Sequence, residues 1–322
     1  MENLDGDKHT KMGPVDSGKR VPFSIKTKKR KKPTKMEQKE YKGIYLFLLP
    51  AIIVFLLFNF LPILTIIYTS FTSWDGFNPP SFVGLQNFVN LINEGSFLIS
   101  VKNLIYWSFL AGIVHVGFGV LIAFILYEKP FGWKFTRSVF MIPNVISAAA
   151  WALIFRFIFD NDMGIINSTI RMVFPNFNIQ WLSQSPYAFW TVTLTWLFFA
   201  VIVTLIVYNE LLSIPDELIE AAEMDGAKKW DVITKIQLPM TRKSIGTSVI
   251  ASITARVAMY EQIALTTNGG PGDDTMNLPI MLVNSINNMN YGYANAIGFV
   301  MIIFGILTLV GINKLFRMNE KL

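Results

Sequence analysis

The chain has 322 residues, of which 52% are hydrophobic and only 16% charged, with a formal net charge of +6. Soluble domains carry about 25% charged residues, so this composition argues for a membrane protein. The lack of cysteine excludes disulfides, thiolate catalysis and Cys-ligated zinc, and two histidines far apart in sequence, His9 and His115, give no metal site.

A basic balance suits either nucleic acid or an anionic membrane surface. Here the basic residues crowd into positions 1–43 and a few short loops, and no nucleic-acid motif accompanies them. Lys26, Lys28, Lys29, Arg30, Lys31 and Lys32 form a run in a segment too polar to fold alone. Residues 1–43 are therefore expected to be a flexible cytoplasmic tail, and residues 44–322 a transmembrane domain. The apolar block that follows is longer than the roughly 7–15 residues of a signal-peptide core, so it reads as an uncleaved first span.

A spanning helix needs about 20 mostly apolar residues. Six segments qualify in chain order: 44–71, which carries Pro50 and Pro62; 104–127; 139–159; 188–208; 245–266, the most polar; and 294–316. Loop charges test the count. With the tail inside, the inside regions hold Lys129, Lys134 and Arg137, then Lys228, Lys229, Lys235, Arg242 and Lys243, then Lys314, Arg317 and Lys321. The opposite loops hold chiefly Lys102 and Arg171, with Asp75, Glu94, Asp160, Asp162, Asp273 and Asp274. This asymmetry follows the positive-inside rule, and omitting the 245–266 span breaks it. Trp74, Phe82, Phe88, Trp181 and Tyr187 fall in the outer loops, where aromatic side chains mark the interface.

The loop between the fourth and fifth spans is the most informative stretch. Ser213 and Asp216 read as a capping box, Pro215 as a first-turn residue, and Asp216, Glu217 and Glu220 as charges matched to the helix dipole. Ala221 and Ala222 favour helix and leave a shallow surface for another chain. Gly226 suits a left-handed helix end. A second helix with Trp230, Ile233 and Ile236 follows, and Leu238-Pro239 is expected to end or redirect it.

Glu220-Ala221-Ala222, then Asp225-Gly226, Ile236 and Leu238-Pro239, resembles the EAA loop of membrane subunits of binding-protein-dependent ABC importers. The flanks Ile214-Pro215-Asp216-Glu217-Leu218 and Met224-Asp225-Gly226-Ala227 resemble the carbohydrate branch, the maltose and glycerol-phosphate permeases. So do Phe82-Val83-Gly84-Leu85-Gln86-Asn87-Phe88, Asn103 and Leu265-Thr266-Thr267-Asn268-Gly269-Gly270-Pro271. The likeness covers the chain from about residue 40, with a family core near residues 98–317.

The resemblance implies an all-α membrane protein with six transmembrane helices, the type I ABC importer permease fold and a cytoplasmic coupling-helix loop. It implies a second permease subunit in a heterodimer, two ATP-binding subunits carrying ATP and Mg, and an extracytoplasmic solute-binding protein. It places the chain in a bacterial cytoplasmic membrane with both termini inside, importing a sugar or oligosaccharide. Glu220, Ala221, Ala222, Asp225, Gly226, Ile236, Leu238 and Pro239 would then couple to the ATPase.

The chain shows no Gly-x-x-x-x-Gly-Lys-Ser/Thr loop of its own, so ATP hydrolysis is expected on a partner. Ionisable groups inside spans tend to line cavities, which singles out His115, Arg156, Arg256 and Glu261. Arg256 and Glu261 lie five positions apart and do not share a helical face closely. Sugars need aromatic platforms and polar groups. Asn144, Ser147, Trp196, Arg256, Tyr260, Glu261 and Gln262 are therefore the candidate substrate-pathway residues, against the ordinary alternative that such aromatics only pack. A permease for a non-sugar solute is the alternative reading. A secondary transporter would show repeats, and a membrane enzyme would need an acid–base cluster, which is not seen.

Overall fold

The computed structural model describes residues 35–318 and residue 320. Most of the expected basic tail, including its Lys/Arg run, lies outside the described residues; from Lys35 the chain is already helical. The chain divides into two units between Leu56 and Leu57.

Among the described residues four helices are long and apolar enough to cross a membrane: α1 (Tyr45–Thr69), α2 (Gly95–Tyr127), α5 (Tyr187–Leu211) and α10 (Tyr291–Leu315). They match the expected first, second, fourth and sixth spans, with α2 beginning nine residues earlier than its apolar block. Pro62 is accommodated in α1 by a π-turn, Leu56–Phe60, directly before it.

The expected third span is not one straight helix. α3 (Trp133–Met141) runs through a tight turn, Ile142–Val145, and α4 (Ala148–Ile158) leaves it at 103°. Pro143 lacks an amide donor, and Ser147 caps the new helix, its Oγ accepting from the Ala150 amide at 3.2 Å. With 11 residues, α4 is about 17 Å long against roughly 30 Å of hydrocarbon.

The expected fifth span also ends early. The coupling-loop helix α6 (Asp216–Met224) is followed by α7 (residues 229–240), and α8 (Arg242–Val257) stops at Ala258, short of Thr266. α8 is too polar to qualify as a span on composition, so length and hydropathy support four spans, or five if the bent pair is one. The count of six is not confirmed. A short apolar helix, α9 (Leu278–Asn287), precedes α10.

Packing explains where the core sits. The second half of α5 lies on the second half of α2 at Gly119, whose carbonyl accepts from Thr204 Oγ1 at 3.0 Å. A Cβ at Gly119 would stand 2.6 Å from Val203 and 3.0 Å from Ala200. Small residues permit this close approach between membrane helices. Trp107 is fully buried, stacks on Phe189 at 5.2 Å and donates to Thr193 Oγ1 at 2.9 Å. Buried carboxamides hold the irregular segments. Asn87 donates to the Ser70 and Thr72 carbonyls, and Asn103 to those of Asp274 and Met276.

Gly119→Ala should destabilise the fold by about 1–3 kcal/mol, read as a lowered unfolding midpoint in detergent. Gly117→Ala, which meets nothing within 4 Å, should leave the midpoint unchanged.

Candidate functional site

Two places gather the candidate residues, a hairpin built from α6 and α7 and a cavity among α2, α4, α5 and α8. In the hairpin the expected capping box is absent. Pro215 is the N-cap, and the Ser213 hydroxyl donates instead to the Glu210 carbonyl at 2.7 Å. A serine one turn past a helix end finds the preceding carbonyls nearer than the next helix's amides. Asp216 and Glu217 occupy the first turn, where the helix dipole favours them.

The far end closes as the sequence requires. Gly226 has φ +85, its amide bonds the Glu223 carbonyl at 3.0 Å, and the Ala227 amide bonds the Ala222 carbonyl at 2.9 Å. This pair of bonds is the Schellman closure. α7 then starts with the Asp231 carboxylate accepting from the Lys228 amide at 3.2 Å. The Lys235 ammonium beside it, followed by that amide bond, holds the Asp231 carboxyl below its ordinary range.

Leu238-Pro239 does not end the second helix. A π-turn, Ile233–Gln237, precedes Pro239 and absorbs the missing amide, so the redirection falls at Thr241, after which α8 begins. Glu220 lines a groove with Tyr127, Glu128, Glu223 and Lys229. There Lys229 pairs with Glu128 at 2.5 Å, while Glu220 has no ion-pair partner among the described residues. Leu218, Met224 and Trp230 stand 46%, 88% and 72% exposed around the hairpin.

The cavity holds about 380 Å³. Of the candidate pathway residues, Asn144, Trp196, Arg256 and Gln262 line it. Ser147, Tyr260 and Glu261 do not. Ser147 is spent as a helix cap, Tyr260 packs against the main core, and Glu261 is exposed in the one-turn helix Glu261–Ala264. Arg156 also lies elsewhere and donates to the Leu265 carbonyl at 3.2 Å.

Helix breaks make the cavity. α5 is interrupted at residues 198–200 and α8 stops at Ala258, while the α3–α4 bend supplies a further wall. Each break frees carbonyls that must find donors away from water. His115 Nδ1 donates to the Leu197 carbonyl at 3.0 Å, Trp151 Nε1 to that of Thr195 at 2.8 Å, and Asn277 Nδ2 to that of Met259 at 2.5 Å. Arg256 lies over the Trp196 ring, 4.2 Å from its centroid.

His115, Trp151, Ser248 and Ser252 also line the cavity, beyond the residues first selected. A signal existed, because Ser248, Ser252 and Arg256 recur every four residues and share one helical face. Among the described residues no cluster of three or more His, Asp or Glu could hold a metal.

Gly226→Val should cost about 1–2 kcal/mol, the penalty of a side chain at positive φ, although nothing crowds the position. Amide exchange at residues 225–227 should accelerate, and Gly226→Asn should be milder.

Comparison with known proteins identifies the family. The chain is 31% identical over 86% of its length to a probable ABC transporter permease protein, YurN of Bacillus subtilis, covering 97% of that protein. It is 29% identical over 83% of its length to the multiple sugar-binding transport system permease protein MsmF of Streptococcus mutans, covering 92% of that protein. Among solved structures, a chain of a bacterial ABC transporter involved in import of the acidic polysaccharide alginate superposes with a TM-score of 0.76 at 21% identity, covering 89% of this chain and 99% of that one. With residues 115–321 matching the family described as binding-protein-dependent transport system inner membrane component, this multi-pass membrane protein belongs to that family of ABC importer permeases.

Proposed function

We propose that this permease carries a sugar or oligosaccharide inward and takes its drive from a separate ATPase through the α6–α7 hairpin. The observation that carries the reading is the hairpin surface. Its helix is closed by Gly226 while Leu218, Met224 and Trp230 stand exposed, beside a Glu220 carboxylate with no ion partner among the described residues. Exposed apolar side chains rimmed by charge are the mark of a docking surface. In this reading Ala221, Ala222 and Asp225 approach the ATPase closely, and Ile236, Leu238 and Pro239 carry the second helix into α8.

The reading includes two ATP-binding subunits with ATP and Mg, a second, different permease subunit, and an extracytoplasmic solute-binding protein. It places both termini in the cytoplasm, with α8 as the polar fifth of six spans. A polar α8 is tolerated in a membrane when its hydroxyls bond their own backbone and face a cavity, as Ser248 does toward the Ser244 carbonyl at 2.8 Å. The sugar assignment is supported by the named substrate class of the Streptococcus relative and by indoles and carboxamides in one cavity.

Glu220→Lys should leave membrane insertion and thermal stability unchanged and lower uptake in proteoliposomes by about tenfold or more, a like-charge clash of over 1.4 kcal/mol. Unaltered uptake would refute the docking role of Glu220. If no ATPase copurifies in mild detergent, the reading as a whole is wrong.

A further inference from the structure

We infer that the cavity selects an acidic saccharide, with the Arg256 guanidinium, seated over the Trp196 ring, as the anion-binding group; this rests on the sugar-importer reading. The first observation is charge. Arg256 lines the cavity, and no Asp or Glu lines it with Arg256 among the described residues. Its described contacts are the Trp196 ring at 4.2 Å and the Met259 sulfur at 3.5 Å, neither of which is a counterion. An ionised group lining a cavity at membrane depth favours an opposite charge or a strong acceptor.

The second observation is independent. Trp196 is 4% exposed, and its Nε1–H, itself buried, has no acceptor among the described residues. Buried indole N–H groups ordinarily find one. The other nitrogen donors around the breaks, His115 Nδ1 and Trp151 Nε1, are consumed by backbone carbonyls. Among the described residues Arg256 is thus the one Lys, Arg, Asp or Glu on the cavity wall, beside the carboxamides of Asn144 and Gln262, which offer acceptors as well as donors.

Neutral sugars present hydroxyls, which a mixed set of acceptors and donors satisfies. A guanidinium with no carboxylate beside it on the cavity wall favours a ligand carboxylate, which accepts two parallel bonds from the planar fork. The indole face beneath Arg256 keeps the guanidinium plane in place. The cavity volume of about 380 Å³ falls within the roughly 300–1,000 Å³ of small-molecule sites.

The test uses the transporter purified with its copurifying chains. Calorimetric titration compares a uronic-acid disaccharide with the same disaccharide after reduction of its carboxyls to hydroxymethyl groups. The acidic form should bind about 10- to 100-fold tighter, the range of a charge-assisted hydrogen bond. Arg256→Gln should abolish that preference, bringing the acidic form's affinity down to about that of the neutral form, and Arg256→Lys should restore it in part. Equal affinities that Arg256→Gln does not alter would overturn the acidic assignment and leave the sugar reading standing. Binding of neither disaccharide would overturn both. Loss of the copurifying chains in Arg256→Gln, with recovery in Arg256→Lys, would make the cation an assembly contact and overturn the assignment.

Discussion

A backbone carbonyl freed inside a membrane needs a donor from the protein or from a water-filled cavity, and that constraint organises this protein. Breaks in α5 and α8 and the bend between α3 and α4 converge on one cavity, and a polar side chain from another element serves the exposed carbonyls at the first two. His115 reaches from α2, Trp151 from α4, and Asn277 from just before α9. The residues that permit the breaks thus also tie the helices around the cavity together. Irregular backbone survives at membrane depth only where protein or a water-filled cavity supplies partners.

The same architecture joins the two functional places. α7 passes into α8 through the single residue Thr241, and α8 carries Ser248, Ser252 and Arg256 on one face into the cavity. A displacement of the hairpin by a docked partner therefore has a short helical route to the cavity wall. Packed helices transmit such shifts because their interfaces do not deform continuously. Close contact at Gly119, where α2 and α5 meet with little side chain between them, gives that wall a stiff backing.

The four long helices were legible in the sequence because their apolar runs exceed the hydrocarbon thickness. In the hairpin the left-handed closure at Gly226 was equally legible, whereas the capping box of Ser213 and Asp216 does not form and the second helix runs on through Leu238-Pro239. The bend after α3 was missed although Pro143 and Ser147 announced it, because apolar length outweighed the local stop and cap signals. The early end of α8 was harder to foresee. At its stop Asn277 holds the Met259 carbonyl across 18 positions, a contact that periodicity cannot show. Tyr260 and Glu261 were sound sugar-binding types, but the turn after Val257 carries them out of the cavity lining.

The account stands or falls on whether the broken helices enclose a water-accessible cavity. The native chain has no cysteine, so single cysteines report cleanly. A membrane-impermeant thiosulfonate should label Ser252→Cys on the α8 cavity face, and should spare Leu307→Cys on the exposed apolar side of α10. Trp151→Phe, which removes the donor to the Thr195 carbonyl, should change the labelling rate at position 252. Equal protection of positions 252 and 307 in the assembled transporter would contradict the account.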